Sequence, residues 1–220
     1  MPLKANSERV KGKNFKNLVN KPLFKWMLDT LTSVTEIDQI IINTDAKELL
    51  LNEGLIESNK VLLRERKASL CGDFTSMNLI LEDDIADSDA DIYLMTHVTN
   101  PFLSKETIKQ AIHTFTEADA LYDSLFSVNK LQSRFYLSDG SAVNHDPNNL
   151  IRTQDLAPYY EENSCLYLFS KQSFQNTHAR IGNKPILFKT PALESIDIDE
   201  PEDWQLAEAL AVNLDNKGLI

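Results

Sequence analysis

The amino-acid sequence predicts an α/β fold in which a mostly parallel sheet carries helices on both faces. Short apolar runs rich in β-branched residues alternate with segments of helical periodicity, and those segments are about 10–15 residues long. One stretch, residues 134–162, interrupts the alternation and is rich in aromatic residues and asparagine. Strands that alternate with helices of this length are typical of parallel sheets covered on both sides.

In the first part of the chain, most predicted helices have an identifiable start or end. The first helix, residues 22–31, has one apolar face and begins at a proline, which suits a first helical turn. Gly54 ends the second helix, which begins at Asp45, and Ser104 caps the fourth. The third and fourth helices are predicted at residues 75–86 and 104–118, and the strands at residues 37–43, 61–63, 91–96 and 121–128.

After residue 133 the pattern changes. Residues 134–162 have little periodicity, so we interpret them as an insert of short strands and loops. The alternation then resumes with a strand at residues 165–169, a helix at 171–177, strands at 185–189 and 195–198, and a helix at 201–212 with proline in its first position. No linker rich in proline, glycine or serine divides the chain, which predicts a single domain over residues 1–220.

Composition excludes several classes of protein. Apolar residues make up 42% of the chain, which is enough for a core and excludes wholesale disorder. The net charge of −11 argues against a nucleic-acid partner. We expect no membrane partner, because no apolar run approaches the ~18 residues of a membrane span and the start does not resemble a signal peptide. The only cysteines, Cys71 and Cys165, exclude a disulfide framework and lead us to expect a cytoplasmic protein.

Positive charge is concentrated near the amino terminus of this acidic protein. Lys4, Arg9, Lys11 and Lys13 fall within residues 2–14, in a loop between a first strand and the first helix. Cations beside the backbone N–H groups of a strand-end loop bind phosphate, so the segment predicts a phosphate loop. The alternative is a solvated basic segment without a ligand.

Two carboxylates follow one another at a spacing of two residues near the carboxyl terminus. Alternation along a strand places Asp197 and Asp199 on one face, ~6.5–7 Å apart, where they can share a hydrated Mg²⁺. An exposed edge strand with a polar face is the alternative. A third segment, from Arg152 to Asn163, carries polar and aromatic groups suited to a sugar, and the alternative there is an ordinary loop.

Together these segments resemble the acylneuraminate (CMP-sialic acid) cytidylyltransferases. That family opens with a pattern like P-A-R-x-x-S-K-R-[IL]-P-x-K-N followed by G-K-P-L, and later has S-I-D-I-D-x-x-x-D. The positions that correspond to its patterns are Pro2, Ser7, Arg9, Gly12, Lys13, Asn14, residues 21–23 and 43–45, Arg66, Leu70, Asp73, residues 97–101, Arg152, Gln154, Asn163, Tyr167, residues 195–199 and Asp203. The resemblance covers the whole chain in order. The chain departs from the family at Lys4, which replaces Arg, at His97, which replaces Gln, and at Glu162, where several members have Arg.

The resemblance implies a Rossmann-like nucleotidyltransferase with residues 134–162 as a dimerisation insert that reaches the sugar site of a neighbouring subunit. The implied partners are CTP, a 3-deoxy-2-keto sugar acid and a second copy of the chain, and the implied cofactor is Mg²⁺. The anomeric hydroxyl of the sugar acid would attack the α-phosphorus of CTP in line, giving a CMP-sugar and pyrophosphate.

The resemblance also assigns roles to individual residues. It implies that Asp197 and Asp199 bind the metal and that Lys13 and Asp199 are catalytic. The nucleotide-binding residues would be Lys4, Asn6, Ser7, Arg9, Lys13, Asn14, Arg66, Asp73 and Ser76. The sugar-binding residues would be His97, Arg152, Gln154, Asn163 and Tyr167. We expect His97 to replace the family's Gln as a hydrogen-bonding group, and a role as catalytic base is the less favoured alternative.

Two other functions stay open on the sequence alone. One is a nucleotidyltransferase that acts on a different sugar or a polyol phosphate and shares the fold and metal site. The other is a non-catalytic paralogue that binds a sugar nucleotide. Loss of Asp197 or Asp199 would have favoured the paralogue, and both residues are present.

Overall fold

The computed structural model describes residues 1–218, which form six α-helices and eight short or long strands. The helices are α1 (Leu23–Ser33), α2 (Lys47–Asn52), α3 (Met77–Ala86), α4 (Lys105–Thr116), α5 (Lys171–Thr177) and α6 (Pro201–Asn216). The strands are β1 (Asn17–Leu18), β2 (Lys21–Pro22), β3 (Ile40–Thr44), β4 (Val61–Glu65), β5 (Ile92–Thr96), β6 (Ser124–Leu131), β7 (Tyr159–Ser170) and β8 (Pro185–Lys189). None of these helices is long and apolar enough to span a membrane.

The strands confirm the α/β prediction, and in the four-stranded sheet β5, β6 and β8 run in one direction while β7 opposes them. β3 pairs with β4 in parallel, and Leu3 adds a parallel bridge to Thr44 on the other side of β3. A four-stranded sheet has the order β5-β7-β6-β8, in which β8 is parallel to β6 and β7 is antiparallel to both of its neighbours. The reason is the insert, since β6 and β7 flank it and pair from Leu131 with Tyr159 onward.

Helices cover both faces of the four-stranded sheet, as the sequence predicts. Alternate residues of β7 point to opposite sides, which is the period of an extended strand. Leu166 and Leu168 pack with α1 and α4 in the largest apolar cluster, whereas Tyr167 and Phe169 pack with α3 and α5 in a separate one. All four of these side chains are buried, so β7 forms the middle of the core.

The insert is irregular, and its last residues are part of a long strand. Residues 159–162 belong to β7, because the strand continues outward to pair with the extended end of β6. Between the two strands the backbone makes an isolated bridge from Tyr136 to Ala142 and a short 3₁₀ turn over Thr153–Asp155. Large apolar side chains exposed on this excursion and the adjoining strand are Tyr136, Leu137, Val143, Leu150, Ile151, Tyr159 and Tyr160.

Residues 195–198 do not form the predicted last strand. The segment is extended, but within residues 1–218 a single backbone hydrogen bond joins it to a neighbouring segment. That bond runs from Ile198 N–H to the Thr99 carbonyl over 2.9 Å. The alternation on which the prediction depended is nevertheless present. Ile198 is fully buried against α6 and α1, whereas Asp197 and Asp199 are partly exposed.

Candidate active site

The amino-terminal basic loop is folded back on itself by backbone and side-chain contacts. Gly12 has φ +63°, a left-handed conformation that glycine adopts without strain, and it precedes a 3₁₀ turn over Lys13–Phe15. The buried amide of Asn14 donates to the Lys4 carbonyl over 2.8 Å. The Asp45 carboxylate accepts the Ala5 N–H over 2.7 Å. Asn14 therefore shapes the loop from within, and Asp45 at the end of β3 anchors it.

Lys13 and Arg9 meet Asp199 at the other end of the chain. The buried Lys13 ammonium donates to the Ile198 carbonyl, 2.5 Å, and lies 3.1 Å from Asp199 Oδ1. Arg9 lies 3.1 Å from Asp199 Oδ2 and 2.8 Å from Glu200 Oε1. Partial burial would raise the pKa of Asp199, but the Lys13 ammonium and the Arg9 guanidinium outweigh it and hold that pKa below its ordinary value.

Asp197 lies in a different environment from Asp199. Its Oδ1 atom is buried and has no hydrogen-bond partner within residues 1–218. Burial is the main reason why the pKa of Asp197 is raised, and the negative charge of Asp199 adds to it. A buried carboxylate oxygen without a partner is the kind of atom that a bound cation satisfies.

The residues present fit a magnesium ion that is shared with a phosphate ligand. In residues 1–218 no group of three or more histidine, cysteine or acidic side chains forms a complete cage for a metal. Mg²⁺ in nucleotide sites is commonly held by one or two carboxylates, with waters and substrate phosphates completing the shell. The buried Oδ1 of Asp197 and the partly exposed carboxylate of Asp199 provide that carboxylate set.

The predicted base-side residues surround the same loop. Arg66 is buried, and its guanidinium donates to the Asn43 side chain over 2.8 Å and to the Leu3 carbonyl over 3.1 Å. The Lys4 ammonium pairs with Asp73 over 2.8 Å, which links the loop to the turn before α3. These contacts bring the predicted residues together, with Arg66 as a fixed support. The hydroxyl of Ser76 caps α3, and Asn6 and Ser7 make no side-chain hydrogen bond within the described part of the chain.

The predicted sugar-side residues divide into two places. His97 follows β5 and is largely buried, and burial, with the positive charge of Arg180, lowers its pKa to about 4. The imidazole is therefore neutral at pH 7, which suits hydrogen bonding. Arg152 and Gln154 lie in the insert, where Arg152 is 73% exposed and forms a two-pronged pair with Asp155.

Asn163 and Tyr167 are core residues of β7. The Asn163 amide is buried and donates to Thr190 Oγ1 over 2.6 Å and to Asn129 Oδ1 over 3.0 Å. The Tyr167 ring is fully buried, and its hydroxyl donates to Glu162. Burial and that hydrogen bond raise the pKa of Tyr167 to about 12. The polar groups of both side chains already have hydrogen-bond partners within the chain. Any contact with a sugar would therefore come in addition to these hydrogen bonds.

Sequence reasoning missed Arg180. It lies in the loop between α5 and β8, its guanidinium carbon is 4.2 Å from the centre of the Tyr167 ring, and its Nη2 donates to the Tyr167 hydroxyl over 3.2 Å. No periodicity or motif identified this residue, because a single arginine in a loop has no local signature. The contact arises only when the loop folds onto β7.

The fold and the site define the class of protein. A basic strand-end loop and a pair of carboxylates meet at one edge of an α/β sheet, which is the arrangement of an enzyme that handles a nucleoside triphosphate. The sequence profile described as "Cytidylyltransferase" matches residues 2–217. The chain therefore belongs to the cytidylyltransferase family and is a nucleotidyltransferase.

Comparisons with known proteins agree with this assignment. The chain is 28% identical to the CMP-N,N'-diacetyllegionaminic acid synthase of Legionella pneumophila, over 100% of this chain and 97% of that protein. It is 22% identical to the pseudaminic acid cytidylyltransferase of Campylobacter jejuni, over 96% and 94%. A solved structure of a CMP:2-keto-3-deoxy-manno-octonic acid synthetase complexed with CTP covers 96% of each chain with a TM-score of 0.67 and 15% identity, which supports the fold.

Proposed function

We propose that this protein transfers CMP from CTP to the anomeric hydroxyl of a 3-deoxy-2-keto sugar acid of the nonulosonic class, with release of pyrophosphate. The observation that carries the proposal is the contact between Lys13 and Asp199, which joins the basic loop to the paired carboxylates across 186 residues of sequence. The names of the two relatives, a legionaminic acid synthase and a pseudaminic acid cytidylyltransferase, support a nonulosonic acid as the acceptor.

The nucleotide half of the proposed site is built from the basic loop. Lys13 and Arg9 would neutralise the triphosphate, because both cations sit at the edge where the loop meets Asp199. Lys4, Asn6, Ser7 and Asn14 would surround the phosphates with charge and hydrogen-bond donors. Arg66, Asp73 and Ser76 would face the cytidine, since Arg66 contacts Leu3 in the loop and Asp73 pairs with Lys4.

Asp197 and Asp199 would hold magnesium, which when bound would reduce the negative charge on the triphosphate. The support for this is chemical, since Asp197 Oδ1 is buried without a partner. Lys13 and Arg9 lower the pKa of Asp199, which favours the ionised carboxylate that a metal cation needs. The same two residues orient that carboxylate by contacting one oxygen each.

The sugar half would begin at His97 and continue along β7. Neutral His97 would donate or accept a hydrogen bond with the acceptor, and Asn163 and Tyr167 would define the floor of the pocket through their fixed positions. Arg152 and Gln154 lie on the insert, so we assign them to the sugar site of a neighbouring subunit. Anchoring both substrates in this way would align the hydroxyl with the α-phosphorus.

A homodimer built through the insert completes the proposal. The insert and the adjoining start of β7 expose Tyr136, Leu137, Leu150, Tyr159 and Tyr160, each at least 44% exposed. That amount of apolar surface on one excursion is typical of a surface that meets another protein. A two-fold arrangement would bury it and would carry Arg152 toward the neighbour. We place the enzyme in the cytoplasm, where both cysteines would remain free thiols.

Pyrophosphate release with a panel of substrates tests the proposed function. The purified protein is incubated with Mg²⁺, one of the four nucleoside triphosphates, and one acceptor. The acceptors are N-acetylneuraminate, N,N'-diacetyllegionaminate, pseudaminate, an octulosonic acid and a polyol phosphate. We expect release with CTP and at least one nonulosonic acid, and little release with ATP or GTP. Release with a polyol phosphate instead of any sugar acid, or no release with any acceptor, would overturn the proposal.

A further inference from the structure

The loop that carries Arg180 is held rigidly against the sheet. The Asn78 side chain accepts the Arg180 N–H over 3.3 Å, and the Asp123 carboxylate accepts the Asn183 N–H over 2.8 Å. A Cβ on Gly182 would lie 2.3 Å from Asp123 Oδ1, so the close approach of the loop to Asp123 depends on glycine. A side chain on so fixed a loop is pre-organised for a ligand.

The Arg180 guanidinium contacts Tyr167 and Glu162, and part of it remains exposed to solvent. It stacks over the Tyr167 ring at 4.2 Å, donates through Nη2 to the Tyr167 hydroxyl, and lies 3.6 Å from Glu162 Oε1. Its side chain is 23% exposed, and Nε and Nη1 make no hydrogen bond within residues 1–218. Arginine makes strong charge-assisted hydrogen bonds with a carboxylate, and Nε and Nη1 have N–H groups available for them here.

Arg180 lines a cavity beside the proposed active site. The cavity has a volume of about 320 Å³, and Ser76, Asn78 and Glu162 also line it. Ligand pockets commonly have volumes of about 300–1,000 Å³. Tyr167, beneath the guanidinium, pairs across strands with Met95, two residues before His97. The charges of Arg180, Lys13 and Asp199 all act on the His97 imidazole, so these three groups lie near that residue.

We propose that Arg180 binds the carboxylate of the sugar acid and thereby sets the orientation of the acceptor. This inference rests on the proposed function and names the residue that would select a sugar acid over a neutral sugar. The carboxylate is bonded to the anomeric carbon, so a fixed contact there also fixes the attacking hydroxyl. Asp197 and Asp199 would repel the carboxylate, and Arg180 would supply a positive charge that attracts it. Arg152 is less suited within one chain, since Asp155 already occupies its fork.

Steady-state kinetics of Arg180→Gln, with Arg180→Lys as a second variant, test the inference. Lys184→Gln is the matched control, because it removes an exposed cation from the same loop. We expect Arg180→Gln to raise the KM for the sugar acid about 10- to 100-fold and to leave the KM for CTP within about twofold, as for a lost charge-assisted contact. Arg180→Lys keeps the charge but lacks the planar guanidinium. Its KM for the sugar acid should therefore lie between those of the wild-type enzyme and Arg180→Gln.

A substrate analogue separates recognition from a structural role. Wild-type enzyme should use the carboxamide of the sugar acid at least about tenfold less efficiently than the acid, and Arg180→Gln should largely lose that discrimination. Equal sugar KM values in wild-type and Arg180→Gln enzyme, or loss of the discrimination in Arg152→Gln alone, would overturn the inference while leaving the proposed function intact. Lack of pyrophosphate release by the wild-type protein with every acid would overturn both.

Discussion

Lys13 Nζ lies 3.1 Å from Asp199 Oδ1 although 186 residues separate the two in sequence. The ammonium is almost fully buried, and it also donates to the carbonyl of Ile198. This contact places the single buried cation of the amino-terminal loop at the carboxylate pair near the carboxyl terminus. The functional consequences of that contact are testable one residue at a time.

Asp199→Asn should lower turnover by about two orders of magnitude or more, because the amide cannot replace the negative charge that would hold Mg²⁺. The side chain is 44% exposed, so the melting temperature should change little. Pyrophosphate release and thermal unfolding measure the two effects. Glu208→Gln, on the exposed face of α6, is the control and should behave as wild type. Near-normal turnover of Asp199→Asn, or full activity in excess EDTA, would contradict the metal assignment.

Lys13→Ala should weaken CTP binding or slow turnover by about 1–3 kcal/mol, since it removes a charge-assisted contact to phosphate. Lys11→Ala removes an exposed cation from the same loop and should have little effect. Calorimetric titration with CTP, together with kinetics at saturating sugar acid, compares the two variants. Equal losses in both would favour the alternative of a solvated basic segment with only a diffuse attraction for the nucleotide.

His97 should make the protein less stable as the pH falls below neutrality. Its pKa is about 4 in the folded state against 6.5 for an ordinary histidine, so the unfolded chain binds more protons between those values. Stability is therefore fully present above pH 6.5 and is lost as the pH falls toward 4, by about 2 kcal/mol between pH 7.5 and pH 5. Urea denaturation at the two pH values measures this. His97→Gln should remove that part of the pH dependence of stability. The control His113→Gln, which changes a histidine on α4, should retain it. An unchanged pH dependence in His97→Gln would contradict a buried neutral imidazole.

The insert should form a homodimer interface. Light scattering at micromolar concentration should give about 50 kDa, twice the chain mass of 25.0 kDa. Leu150→Glu places a charge on the insert and should shift the particle toward the monomer mass. Leu206→Glu is the matched control, since Leu206 on α6 is 58% exposed against 59% for Leu150. A monomer mass for the wild-type protein would show that the insert does not assemble the chain.

Local signals predicted the helices and several strands well. The helix Lys171–Thr177 and the strand Pro185–Lys189 have the bounds that the sequence indicates, and Ser104 caps α4 through its side chain. The direction of β7 was not predictable in this way. A run that is apolar on both faces indicates burial, but whether it pairs in parallel is decided by the distant strands beside it. The last predicted strand failed for a related reason, because residues 195–198 have the alternation of a strand without a partner strand.

The parts of the candidate site that consist of short sequence motifs could be predicted from the sequence. The basic loop and the two aspartates were identified from residue type and spacing, and the structure brings Lys13 and Arg9 to Asp199. The environment of each group was not predictable from spacing. Two aspartates that look alike in the sequence have pKa values shifted in opposite directions. The pKa of Asp197 is raised because its carboxyl is buried, and the pKa of Asp199 is lowered because it pairs with cations. Arg180 was missed since its contact with Tyr167 depends entirely on tertiary folding.

A ³¹P NMR measurement of the products formed from CTP, Mg²⁺ and a nonulosonic acid tests whether the enzyme transfers CMP to the sugar. The proposed reaction predicts loss of the three CTP resonances and appearance of one phosphodiester resonance and inorganic pyrophosphate in equal amounts. It also predicts a product whose mass equals CMP joined to the sugar acid with loss of water. Unchanged CTP with every acid, or its conversion to CDP and phosphate, would contradict the proposed reaction.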